Sequence, residues 1–299
     1  MGRSVPGGKG LFIWQLASGR IAAPAVAARQ ARDAGLAWVA IKAQNGVGRY
    51  NAAKIADYCR AFDGEGVDVW LWGYLYGADV LRRSQALMEA NITADVCAEL
   101  LPAGWIADPE AEYKRPGAAD WANTYLTALR AQMPDLSVGL CTYRYPSYHP
   151  EFPWRAWLGG ANGADFHAPQ VYWMGAHNPA AQLLKSVNEL KAQRDIPIVP
   201  VGAAYTEHGF EPTVAEMDAF HEQVVRLGLP GECWWEWYFA TVRRPQFWQA
   251  IARHEWPVSV ETPKTFSQLD EAARWALVER ALKQQGILDA AGVPIAGGA

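Results

Sequence analysis

The chain has 299 residues, about half of them apolar, which is enough to bury one large core, and (β/α)8 barrels routinely use about 250 residues as one domain. Its formal charge of −4 provides no general basic surface to displace counterions from a nucleic-acid backbone, so nucleic acid is not an expected partner. The amino-terminal MGRSVPGGKG lacks the apolar stretch of a secretory signal and no later run approaches bilayer-spanning length, so a chain made soluble in the cytoplasm, without a membrane partner, is expected.

Short apolar or aromatic runs alternate with amphipathic stretches of helical period, the pattern of repeated β-α units and a parallel sheet. In chain order the strands are expected at Leu11 to Ala17, Trp38 to Gln44, Asp68 to Tyr76, Gly104 to Asp108, Ser137 to Tyr143, Asp165 to Trp173, Ile196 to Tyr205 and Glu232 to Phe239. Each precedes a helical stretch, and Gly35, Gly64, Gly66, Gly163 and Gly228 fall between helix and next strand, where a left-handed cap closes a helix at little cost. The fold class is therefore α/β, a TIM barrel over residues 1–255. Residues 256–299 read as a Pro-containing linker, an amphipathic helix over Ser267 to Gln285 begun by a Thr265/Gln268 capping box, and a Gly-rich tail. That helix either docks under the barrel or joins it to a protein assembly.

In such a barrel, side chains at the carboxyl ends of the strands meet above a packed interior. The fourth strand runs Gly104-Trp105-Ile106-Ala107-Asp108-Pro109-Glu110-Ala111-Glu112, with acids at alternate positions. Period-two geometry turns Asp108 and Glu110 to one side, and Pro109, having no N–H, suggests that regular pairing stops there, at the mouth. Two carboxyls held close repel, so one keeps a proton near neutrality and can donate it while the other stays ionised, as glycoside hydrolysis requires. The bland alternative is that these acids cap the next helix or pair with Lys114 and Arg115.

Strand eight places Glu236 among Trp234, Trp235, Trp237 and Tyr238, either as a second acid in the mouth or as the structural partner of Lys42 on strand two. Gln170 and Tyr172 share a face of strand six and suit hydrogen bonding to a substrate, while Trp14, Gln15, Tyr74, Tyr143 and Tyr205 end other strands. Fifteen tryptophans and twelve tyrosines exceed what a core needs, and aromatic faces stack on sugars.

No metal and no cofactor are expected. His221-Glu222 is not followed by the HExxH spacing, no Gly-rich phosphate turn or GxSxG elbow is present, and Cys59, Cys97, Cys141 and Cys233 form no CxxC pair and read as reduced core thiols.

A strand-four Asp-x-Glu at Asp108-Pro109-Glu110, an aromatic first strand ending in Gln15, and Gln170 with Tyr172 on strand six resemble the family 25 lysozyme-like glycoside hydrolases and related barrel domains of phage and bacterial proteins. The resemblance implies a polysaccharide substrate, peptidoglycan or a bacterial surface glycan, with Glu110 as general acid and Asp108 stabilising developing charge or orienting the substrate. It also implies a virion-associated protein or one released on lysis. Members of that family carry an aspartate in strand one, whereas Gly10 to Gln15 contains no acid here. Glu236 or Glu112 then takes that role, or the chain belongs to a distant glycosidase-like branch, or the barrel has lost activity and is a non-enzymatic structural or glycan-binding component of a phage tail or similar assembly. Convergence of Asp108, Glu110 and Glu236 on one open pocket distinguishes enzyme from relic.

Overall fold

A computed structural model describes residues 3–256. The expected carboxy-terminal helix and its capping box lie outside the described residues. Nine strands form one sheet: β1 (Gly8–Ile13), β2 (Trp38–Asn45), β3 (Gly48–Arg49), β4 (Asp68–Leu75), β5 (Gly104–Pro109), β6 (Val138–Tyr143), β7 (Phe166–Gln170), β8 (Val201–Ala203) and β9 (Gly231–Trp235). Eight of them are parallel and close on themselves, because β1 pairs with β2 on one side (Leu11 beside Val39) and with β9 on the other (Gly10 beside Cys233). The short β3 is antiparallel to β2 and forms a hairpin at the mouth. The fold is a (β/α)8 barrel, with helices packed around it, and β5 is its fourth strand.

Large and small residues alternate through the barrel interior. Phe12, Trp38, Trp70, Trp72, Ile106 and Phe166 fill it against Ala40, Cys141, Ala168 and Cys233. Glycines make room: a Cβ on Gly10 would stand 2.1 Å from the Trp38 ring, one on Gly104 2.2 Å from Trp70, and one on Gly139 2.3 Å from Phe166. Much of the tryptophan excess is therefore structural, since Trp38, Trp70, Trp105, Trp157, Trp173, Trp234 and Trp237 are fully buried.

The elements depart from the expected bounds at several ends. β1 stops at Ile13 and β7 at Gln170, so Trp14, Gln15 and Tyr172 follow their strands and do not lie on them. β8 shrinks to three residues, because Pro197 and Pro200 cannot donate to the ladder and only an isolated bridge from His167 to Ile198 precedes it. β9 stops at Trp235, and residues 237–243 turn helical, so Glu236 is not a strand residue. The third helix begins at Ala86, after a loop in which Asp79 accepts from the amides of Leu81 and Arg83.

Candidate active site

On β5, pairing with β6 ends at Ala107 beside Leu140, and the freed carbonyl of Pro109 accepts from the Thr142 hydroxyl at 2.7 Å. Asp108 and Glu110 therefore emerge at the mouth. Gln170, the last residue of β7, reaches across: its Nε2 donates to Asp108 Oδ1 at 3.1 Å and to Glu110 Oε1 at 2.7 Å. One side-chain amide thus uses its two hydrogens to hold two carboxyls.

These three residues line a cavity of about 240 Å³ whose other walls include Phe12, Trp14, Lys42, Trp72, Tyr74, Cys141, Tyr172, Tyr205, Glu207 and Trp235. Burial pushes the Asp108 carboxyl well above the usual range, and the neighbouring Glu110 adds to it. Burial likewise raises Glu110, with Glu112 reinforcing and the Gln170 hydrogen bond opposing. Because ionising one acid repels ionisation of the other, the pair as a unit holds a proton that either carboxyl alone would release.

Lys42 enters the same cavity. A register shift between Lys42 and Gln44 on β2 turns Gln44 outward, where it donates to the Glu89 carbonyl and accepts from Thr93, and leaves the lysine in the mouth. Its Nζ donates to Asn45 Oδ1 at 2.9 Å and sits 4.8 Å from the ring centroids of Tyr50 and Trp72. Burial lowers its pKa, while Asp108 and Glu110 pull it back up. The alternative ion pair between Lys42 and Glu236 is not formed; the acids acting on this ammonium are Asp108 and Glu110.

Glu236 corrects the expectation of three converging acids. It lies past the end of β9 and lines an adjoining pocket, not the cavity of Asp108 and Glu110. It is 2% exposed, and Oε2 accepts from the Tyr238 amide at 3.3 Å while Oε1 has no partner. Burial pushes its carboxyl up to about 7, against the pull of the Tyr238, Phe239 and Trp14 amides and of Arg20.

Glu112 is also diverted: it follows β5 in a short 3-10 turn and accepts the Tyr74 hydroxyl at 2.7 Å. Gln15 donates to the Tyr50 hydroxyl at 3.3 Å and Tyr143 stacks on His149 with ring centroids 3.8 Å apart, so neither lines the cavity. Trp14, Tyr74, Tyr172 and Tyr205 do line it. Sequence reasoning missed Phe12, Trp72, Cys141, Trp235 and Glu207 as wall residues. Trp72 and Cys141 sit two residues upstream of Tyr74 and Tyr143 on their strands, so period-two spacing could have found them, but Glu207 lies in a loop that no periodicity marks.

A second cluster lies away from the mouth: His221, Glu232 and His254 place one donor atom each within 4.8 Å of one another. The two imidazoles stack with planes 5° apart and centroids 4.3 Å apart. Ring-nitrogen lone pairs lie in the ring planes, and two parallel, displaced planes cannot both aim at one ion. The arrangement fits a buried hydrogen-bonded ion pair, with His221 Nδ1 3.0 Å from Glu232 Oε2, and not a metal centre.

No protein-family model matches the chain, and no curated protein matches it. Solved structures do. Active domain 2 of a chitinase from Pyrococcus furiosus superposes with a TM-score of 0.59 at 14% identity, over 84% of this chain and 98% of that one. The spore cortex-lytic enzyme SleL of Bacillus megaterium gives 0.57 at 12%, over 83% and 74%. An endo-1,4-β-D-mannanase from Thermotoga petrophila gives 0.58 at 10%, over 77% and 88%. At these identities the likeness establishes the shared barrel fold, and it does not single out the lysozyme-like family.

Proposed function

We propose that the protein is a glycoside hydrolase that cleaves a polysaccharide at the mouth of the barrel, with Glu110 as the proton donor to the glycosidic oxygen. The observation that carries this reading is the Asp108–Gln170–Glu110 arrangement: a buried and a half-buried carboxyl on one amide, in a cavity walled by aromatic rings at the carboxyl ends of the strands. The structural neighbours described as chitinase, cortex-lytic enzyme and mannanase support it as relatives in fold.

The same geometry bears on mechanism. Retaining and inverting hydrolases of the common type need carboxyls flanking the scissile bond. Asp108 on β5 and Glu110 just past its end are tied to the same nitrogen, and so approach a sugar from the same wall. Among the described residues the other acids lining this cavity or the adjoining pocket are Glu207, at the exposed rim, and Glu236, which burial keeps from ionising readily and so makes a poor nucleophile. The nucleophile is then the substrate's own, as in substrate-assisted glycosidases, and the substrate is a polymer of 2-acylamino sugars. Asp108 orients that acylamino group and balances the positive charge that develops as the bond opens.

A hydrolysis panel of chitin oligomers, peptidoglycan and mannan tests both parts. The wild type releases product from the acylamino glycans and not from mannan, and Glu110→Gln lowers the rate by about 10²- to 10⁴-fold. No product from any glycan, or equal product from both proteins, overturns the assignment and leaves a non-catalytic barrel.

A further inference from the structure

Beside the cavity of the two acids lies a second pocket, of about 460 Å³, that shares Trp14, Tyr205, Glu207 and Trp235 with it as common walls. The two therefore form one groove along the mouth. Its remaining lining includes Arg20, Glu236, Tyr238 and Arg243. The Arg20 guanidinium rests 4.5 Å above the Tyr238 ring, which holds the plane of the fork and leaves its N–H edges open.

Among the described residues neither Arg20 nor Arg243 is engaged in an ion pair, although the very next residue, Arg244, grips Glu211 with two hydrogen bonds of 2.9 Å. Two uncommitted guanidinium groups thus face one pocket. The acids beside them offset that charge only in part. Glu207 is exposed and its carboxylate lies 3.5 Å from His208 Nε2, while Glu236 is buried, with Oε1 unpartnered, and resists ionisation.

Trp14, 38% exposed, offers a face for a sugar ring at the junction of the two pockets. We propose that this adjoining pocket is a subsite for a sugar bearing a carboxylate, so that the substrate is an acidic glycan whose carboxylated sugar neighbours the bond that is cleaved. Arg20 and Arg243 receive the carboxylate through charge-assisted, forked hydrogen bonds, and the orphan oxygen of Glu236, when protonated, donates to the same group. The inference rests on the glycosidase reading and narrows its substrate.

The test is calorimetric titration of Glu110→Gln, which turns substrate over at least about 10²-fold more slowly, with three tetrasaccharides. These are neutral N-acetylchitotetraose, a hyaluronan fragment carrying uronic acids, and a peptidoglycan fragment carrying lactyl ethers. At least one acidic ligand is expected to bind about tenfold more tightly than the neutral one. Which acidic ligand does so tells a ring carboxylate from a lactyl one. Adding Arg20→Met or Arg243→Met erases that preference, and Arg20→Lys, which keeps the charge but not the fork, restores only part of it. Thermal melts of each variant confirm folding. Equal or tighter binding of N-acetylchitotetraose by the parent overturns the subsite while leaving a neutral-glycan hydrolase standing. Preference for an acidic ligand, with no glycan hydrolysed by the wild type, keeps the subsite and overturns the catalytic reading.

Discussion

Gln170 holds two acids that would otherwise repel, and burial holds both above their ordinary pKa. A carboxyl whose folded pKa is raised costs the folded state stability as pH climbs through and beyond the unfolded value, because ionisation is harder in the fold than in water. Below that unfolded value both states are protonated and the cost vanishes. Asp108→Asn should therefore be more stable than the wild type at pH 7, by roughly 1–3 kcal/mol, with the advantage fading below about pH 4, and it should have lost most of its activity. Denaturant melts at pH 3.5 and 7, alongside the hydrolysis assay, check this. A variant less stable at pH 7 contradicts the burial argument. At this scale the sequence made the β5 acids legible through their alternation and Pro109. It could not show Gln170 beneath them, since that contact joins residues 62 and 60 positions apart.

The elements owe their packing to pairs of unequal size. Gly104 on β5 lies against the Trp70 ring of β4, and Gly139 on β6 against Phe166 of β7, so each glycine admits the aromatic of a neighbouring strand. Gly104→Ala forces the Trp70 ring or the strand to move. It should lower stability by about 1–3 kcal/mol, seen as a lower urea midpoint at unchanged slope. An unchanged midpoint would show that the interior yields without cost. Alternation of strands and helices, readable from hydrophobic period, set the element count, whereas strand ends went astray where backbone chemistry overrode apolar character. Pro197 and Pro200 shorten β8, and the shift between Lys42 and Gln44 sends two residues of nominally equal phase to opposite faces of β2.

For the whole molecule, closure of the barrel at its amino end depends on buried charge. Lys9 of β1 donates to the carbonyls of Ala34, Ile251 and Ala252, where two helices end, and Glu232 of β9 accepts from Trp234 and binds His221, which stacks on His254. Asp218, Arg253 and the Glu255 carbonyl complete the surroundings. Burial opposes charge on His221, but the bond to Glu232 outweighs it and raises the pKa. Burial also opposes charge on Glu232, and the two histidines outweigh it and lower the pKa. The His221 contribution is thus fully present below about pH 6.5 and lost as pH rises through its raised folded value. The Glu232 contribution is present above about pH 4.5 and lost as pH falls through its lowered value. The contribution of the His221–Glu232 pair should peak in the window between them and fall above it. His221→Gln, which strands a buried carboxylate, should lose about 3–5 kcal/mol near pH 6 and decline less steeply than the wild type above that pH, the raised acids of the mouth still contributing. Melts from pH 5 to 9 measure it, and parallel curves for the two proteins would exclude the coupling.

The sequence by itself determined the barrel, the order of its strands and the presence of acids at the end of the fourth, because hydrophobic period and a strand-ending proline act locally. Only the tertiary structure decided which acids share a cavity. Closure brings Lys42 of β2 near the end of β9, yet the turn after Trp235 carries Glu236 into the neighbouring pocket and the irregularity in β2 delivers the lysine to Asp108 and Glu110. Those are outcomes of how the ring of strands ends, and no spacing within a single strand records them.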